Sequence, residues 1–170
     1  MRVRKPFSED QYALGRCKLQ PLGATDALII AETLSRMSPW RDLGYYAQDL
    51  SKFLLNSDPL FRRYTIMRYT IMGSGERVGA VCVRHPWLKG TYLELLGIFE
   101  PFQGMGVGRE IISWMELQTR PAANNIWALV SSFNNRGREF YRKNGFTEIA
   151  VLNNLVKPGF DEILIRKMLD

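Results

Sequence analysis

Gln103-Gly104-Met105-Gly106-Val107-Gly108-Arg109 is the segment whose residue types best suit holding a ligand. It stands between a buried-strand pattern and an amphipathic helical pattern, so its backbone N–H groups open a helix without partners of their own. Those amides attract an anion. Glycine at alternate positions lets the chain take positive φ and approach a ligand with no Cβ in the way, as a pyrophosphate cradle requires. A glycine turn without a ligand would use the same residues. A dinucleotide fingerprint starting at Gly104 needs glycine or alanine at 109, and one starting at Gly106 needs it at 111; Arg109 and Ile111 exclude both. A phosphate loop of the ATPase kind needs Lys followed by Ser or Thr, and Arg109-Glu110 stands there instead.

The elements that must position this segment follow from periodicity. Arg16 to Leu22 reads as the first strand, after which Ala27, Ile30, Ala31 and Leu34 recur at helical spacing behind a Thr25 or Asp26 cap. Ser38-Pro39-Trp40 breaks that helix, and Tyr46, Leu50, Phe53 and Leu54 mark a second one that ends near Asn56-Ser57-Asp58-Pro59. Arg62 to Met72 and Arg77 to His85 form a hairpin across Gly73-Ser74-Gly75-Glu76. Thr91 to Phe99 reads as a strand that is buried rather than alternating. A helix from Gly106 carries Ile111, Trp114 and Met115, and Asn125 to Phe133 returns as strand. The helical crossover lets those two strands lie parallel. Asn134 caps a short helix bearing Phe140 and Tyr141 that stops at Gly145, and strands near Thr147 to Leu152 and Glu162 to Met168 close the chain. The order β-α-α-β-β-β-α-β-α-β-β describes an α/β fold of the α+β kind, a mixed sheet with helices on its faces.

Composition bounds the rest. With 170 residues, 46% of them hydrophobic and 24% charged, the expectation is a single domain over residues 1–170. No stretch approaches the roughly 18 apolar residues of a membrane span and no leader pattern opens the chain, so a soluble, cytoplasmic protein without a membrane partner is expected. Cys17 and Cys82 share no metal or redox spacing; both read as reduced and structural, and no metal is expected. The net charge of +6 suits nucleic acid, a membrane surface or a phosphorylated cofactor. Lys and Arg are scattered, with only Arg2, Arg4 and Lys5 clustered, and no nucleic-acid reading module accompanies them, so no nucleic-acid partner is expected.

Gln103-x-x-Gly106-x-Gly108 resembles the Gln/Arg-x-x-Gly-x-Gly/Ala cofactor motif of GNAT acetyltransferases, with Leu96-Gly97-Ile98 on the strand before it. Asn134, Tyr141 and Gly145-Phe146 resemble that family's Asn-x-x-Ala-x-x-x-Tyr-x-x-x-Gly-Phe pattern on the next strand and helix, with Gly137 in place of the usual Ala. That replacement costs helix stability of about 1 kcal/mol and no chemistry. The resemblance covers the C-terminal half closely and the remainder in element order. It implies a GNAT-type fold in which strands 91–99 and 125–133 splay apart to admit the pantetheine arm of acetyl-CoA. It implies transfer of an acetyl or other acyl group to a primary amine by direct attack in a ternary complex. A non-catalytic CoA-binding regulatory or interaction domain is the alternative.

The resemblance also implies roles. Leu96, Gly97 and Ile98 would hold the thioester through backbone N–H groups, and Gln103, Gly104, Met105, Gly106, Val107, Gly108 and Arg109 would hold the phosphates. Asn134 would cap its helix and contact the cofactor. Tyr141 would hydrogen-bond or protonate the departing thiolate; with a thiol pKa of about 8.5 and a phenol near 10, full transfer is uphill by roughly 2 kcal/mol. An amine nucleophile must lose a proton, and Glu94, two residues before Leu96 on the same side of the pleat, is the candidate base, with Glu100 or a water chain as alternatives. Glu94 would otherwise be a surface salt-bridge partner. His85, the single histidine, reads as structural. Trp40, Tyr45, Tyr46 and Trp87 line an acceptor groove or simply pack. Arg136, Arg142 and Lys143 are solvated helix charges or partners of the CoA 3′-phosphate. A small-molecule or peptide amine is the expected acceptor, and its identity, the acyl length and a homodimeric state stay open.

Overall fold

A computed structural model describes residues 5–73 and 75–170; Arg2 and Arg4 of the terminal basic cluster and Ser74 of the expected hairpin lie outside them. The chain runs β1 (Tyr12–Ala13), β2 (Cys17–Pro21), α1 (Ala24–Ser35), α2 (Ala47–Leu54), β3 (Phe61–Tyr69), β4 (Gly75–Trp87), β5 (Gly90–Ile98), a 3₁₀ turn at Glu100–Phe102, α3 (Val107–Thr119), β6 (Asn125–Ser131), α4 (Asn135–Lys143), β7 (Thr147–Lys157) and β8 (Phe160–Met168). The eight strands form one mixed sheet in the order β1-β2-β3-β4-β5-β6-β8-β7. This is the expected order with β1 added. A two-residue strand has no periodicity to betray it, and β1 exists only through its antiparallel pairing with β2.

Two apolar clusters hold the helices to opposite faces. Ile111, Ile112, Trp114 and Met115 of α3 join Leu19, Ile66, Val81, Leu93, Ile126 and Ile165 on one face. Ala27, Ile30, Ala31 and Leu34 of α1 join Leu50 and Leu54 of α2 with Ala80, Cys82 and Leu95 on the other. Consecutive β4 residues therefore feed alternate cores, which is why 78–83 is apolar throughout. Cys17 and Cys82 are buried free thiols, and burial pushes Cys17 up to about 12, with Glu110 beside it adding to the shift.

The cap of α1 departs from expectation. Gly23 is the N-cap, and Asp26, in the first turn, accepts from the Gly23 backbone N–H at 3.1 Å. Asp26 also receives Arg77 of β4 at 2.9 and 2.6 Å, which ties the helix start to the sheet. In α4 the expected cap is present: the Asn134 side-chain oxygen accepts from Gly137 N–H at 2.9 Å.

Strand β5 differs from the continuous burial expected of it. Leu93, Leu95 and Gly97 are buried, while Tyr92, Glu94, Leu96 and Ile98 are half-buried. Its register with β4 shifts, since Cys82 faces Leu95 and Val83 faces Leu93, so Glu94 is the extra residue of a bulge. Leu93 consequently enters the α3 core and Leu95 the α1–α2 core. Parallel pairing of β5 with β6 covers only Thr91–Ile126, Tyr92–Trp127 and Leu93–Ala128. Beyond the bulge the two strands part, leaving a wedge between 94–98 and 129–131.

Candidate active site

The glycine segment sits at the end of β5 as the entry to α3. Gly104 and Gly106 take φ of +78° and +87°, a left-handed conformation in which a Cβ is strained. Gly106 is the N-cap of α3 and supplies no side-chain cap, so the first-turn amides of Val107, Gly108 and Arg109 are left without intrahelical acceptors. Gly108 is glycine for another reason: a Cβ there would stand 3.0 Å from the Phe140 ring and 3.4 Å from Ile98 Cδ1. It lets α3 approach β5 and α4. The Gln103 amide donates to the Ile98 carbonyl at 2.8 Å and so anchors the loop to the strand end. Met105 and Arg109 are exposed and Val107 is buried.

Arg16 was not singled out from sequence. Its backbone N–H donates to both Glu110 carboxylate oxygens at 3.0 and 2.9 Å, and its guanidinium lies 3.0 Å from where a Gly106 Cβ would be. Arg68 reaches the same loop, with its guanidinium 3.7 Å from Met105 Sδ. The Arg16 guanidinium also pairs with Glu110 of the first turn at 3.3 Å, so Arg68 and the exposed Arg109 are the cations near the α3 start that add to its amides in favouring an anion. No sequence spacing links 16 and 68 to 103–109; pairing of β2 with β3 brings them together.

In the wedge, Phe99 N–H donates to the Val78 carbonyl at 2.8 Å. By alternation along the strand, Leu96 and Ile98 turn their amides away from β4, toward the space β6 has left. The Leu96 and Ile98 side chains pack on the α3 core, and Gly97 brings the strand against Leu34 and Trp40 of the opposite face. Tyr141 of α4 packs against Phe140 and Phe146, with ring centroids 5.1 and 5.2 Å away. Burial, and then the nearby Tyr92, push its phenol above the ordinary range, so it is a protonated hydroxyl across the neutral range.

The face opposite α3 carries the other candidates. Trp87 stacks on Tyr92 at 4.8 Å and stands 6.1 Å from Trp127. Trp40 covers Gly97. Tyr45 is half-buried, and burial followed by the charges of Glu162 and Asp49 raises its phenol. Tyr46 is 76% exposed at the start of α2 and is not gathered with these rings. Glu94 does not share a side with Leu96, because the bulge turns it to this face. There Arg84 grips it through Nε and Nη2 at 3.2 and 3.3 Å and also binds Asp58 at 2.5 Å. Glu100 is exposed on the 3₁₀ turn. His85 accompanies Thr91 at 2.9 Å, and Thr91 meets Thr119 at 2.8 Å, tying β4, β5 and α3 together. A residue that sequence reasoning missed completes the face. Glu162 of β8 is 5% exposed and accepts from the Ser131 hydroxyl at 2.7 Å.

Residues 63–148, half of the chain, match the family model described as the acetyltransferase (GNAT) domain. The chain belongs to the GNAT acetyltransferase family. The matched stretch holds the bulged strand, the glycine segment and Tyr141, and the eight-stranded mixed sheet is that of GNAT acetyltransferase structures. An acetyltransferase from Thermus thermophilus superposes with a TM-score of 0.68 at 22% identity, over 93% of this chain and 100% of that one. The ribosomal-protein-S18-alanine N-acetyltransferase from Escherichia coli gives 0.66 at 16% identity, over 89% and 93%. Nourseothricin acetyltransferase gives 0.57 at 23% identity, over 66% and 68%. At these identities the likeness to this GNAT chain is one of fold. No curated protein matches the sequence. Among the described residues no helix is long and apolar enough to cross a membrane.

Proposed function

We propose that the protein is a single-domain N-acetyltransferase that moves the acetyl group of acetyl-CoA to a primary amine by direct attack. The observation that carries this reading is the wedge opening at Glu94 on the strand whose end leads into the glycine cradle. A ligand with an extended amide-bearing arm and a pyrophosphate fits both at once. Amides of Val107, Gly108 and Arg109, with the Arg68 and Arg109 side chains, would hold the phosphates, and Gln103, Gly104, Met105 and Gly106 shape their approach. The Leu96 and Ile98 amides, spaced by Gly97, face the gap where an arm would complete the sheet and where charge would develop on the thioester oxygen. Asn134 sets the start of α4, which presents Tyr141 as a proton donor to the leaving sulfur. Trp40, Tyr45 and Trp87 line the acceptor side.

Calorimetric titration with acetyl-CoA tests the binding half of this reading. Wild type should bind and Gly106→Glu, which puts a carboxylate into the cradle, should not; no binding by wild type would sink the proposal. Tyr141→Phe should lower kcat about 10²-fold with acetyl-CoA affinity unchanged. Binding without turnover on any amine would leave a non-catalytic CoA-binding domain.

A further inference from the structure

Arg84 joins three elements around the bulge. On β4 it stands across from Phe61 of β3 on one side and Tyr92 of β5 on the other. Its guanidinium forks onto Glu94, with Nε donating to Oε2 at 3.2 Å and Nη2 to Oε1 at 3.3 Å, while Nη1 donates to Asp58 at 2.5 Å. The guanidinium carbon lies 5.8 Å from the Phe61 ring centre. Asp58 is itself held by the Leu60 N–H at 2.9 Å, so Arg84 is fixed by groups that are fixed in turn. The bulge arises because Leu93 and Leu95 enter opposite cores, which leaves Glu94 as the extra residue. The Glu94 side chain is 19% exposed and the Arg84 side chain 18%. Removing the cation would leave two carboxylates, Glu94 and Asp58, beside one vacated space, one of them poorly hydrated. The strand relieves that charge by turning residue 94 toward water, and a turn at the bulge redirects the residues after it. Those residues carry the Leu96 and Ile98 amides that face the gap.

We propose that Arg84 is a positioning residue for the cofactor's arm: its fork on Glu94 holds the bulge, and so aims the Leu96 and Ile98 amides at the line an extended amide-bearing arm would follow. This rests on the acetyltransferase reading above. The side-chain bonds of Arg84 end on Glu94 and Asp58, outside the cradle and the wedge amides, so it acts through Glu94. Lysine would supply the charge on a single nitrogen and could not make the paired bonds while holding Asp58, so it should aim the strand less well. Glu94 thereby has a part in the site that needs no proton transfer.

Amide hydrogen exchange at saturating acetyl-CoA reads the two halves of the ligand separately and without turnover, at residues 95–98 for the arm and 106–110 for the phosphates. Wild type should be protected in both segments. Arg84→Met should bind acetyl-CoA at least tenfold more weakly; once saturated it should protect 106–110 as wild type does, while 95–98 exchange at least tenfold faster. Arg84→Lys should fall between the two. Glu94→Gln, an isosteric change at the other end of the pair, should give the same pattern, and adding it to Arg84→Met should cost no further affinity. Should Arg84→Met fail to fold, Glu94→Gln and Arg84→Lys carry the test. Equal protection of 95–98 in the variants and wild type, loss of protection in both segments together, no recovery by Arg84→Lys, or additive losses in the double variant would each overturn the assignment. Protection of only one segment in wild type would do the same. Absence of protection in both segments of wild type would instead remove the acetyltransferase reading on which the assignment rests.

Discussion

At the scale of single residues, three glycines in one short segment serve different ends. Gly104 and Gly106 are glycine for their backbone angles, and Gly104 has nothing within 4 Å of its missing Cβ. Gly104→Ala should therefore cost about 1–2 kcal/mol through strain alone. Gly108 has an ordinary φ and is glycine for space, so Gly108→Ala should cost about 1–3 kcal/mol by pressing on Phe140 and Ile98. Chemical denaturation of both variants separates the causes. A second substitution, Phe140→Leu, should recover stability in the Gly108→Ala background and not in the Gly104→Ala one. The motif was legible in the sequence, but this division of labour was not. Glycine's uses look alike until the neighbours are known.

At the scale of elements, the bulge at Glu94 governs the site. It redirects the side chains after Leu93, ends the pairing with β6 and leaves the Leu96 and Ile98 amides facing the gap. The α1 helix packs against this strand at its narrowest residue, since a Cβ on Gly97 would lie 2.7 and 2.9 Å from the Leu34 methyls and 3.3 Å from Trp40. Gly97→Ala should lose about 1–3 kcal/mol by pushing α1 off the sheet, and Leu34→Val should restore part of it. Equilibrium unfolding of the two single variants and the double variant measures that coupling; simple additivity would deny the contact its role.

At the scale of the whole molecule, the half-buried His85 and the buried Glu162 tilt stability with pH in opposite directions. Burial lowers the His85 pKa, despite a backbone hydrogen bond with Gly90 that raises it. The unfolded chain takes up this proton near the ordinary 6.5 and the folded chain only at lower pH, so stability is lost as pH falls below about 6.5. Glu162, raised by burial, acts in the reverse sense. The folded chain keeps its proton above the ordinary 4.5 where the unfolded chain has released it, so stability declines as pH rises through that window. Thermal melts from pH 4 to 8 should show His85→Gln flattening the acid limb and Glu162→Gln raising stability at neutral pH.

Read alone, the sequence determined the order of every element after β1, the glycine turn into α3, the Asn134 cap and the helix bearing Tyr141. Each of these is local: a period, a cap or a turn that a few neighbouring residues dictate. Tertiary structure decided which charges face the site. Glu94 is diverted by a bulge whose partner strand lies a hairpin away, and its charge is taken by Arg84. Glu162 opens the last strand read from the sequence, with nothing local to mark its burial, and becomes buried because β8 inserts between β6 and β7 and sets it opposite Ser131. Arg16 reaches the cradle through Glu110, 94 positions away. Strand insertion and register are long-range pairings with no local signal, so the residues that depend on them emerge only from the folded sheet.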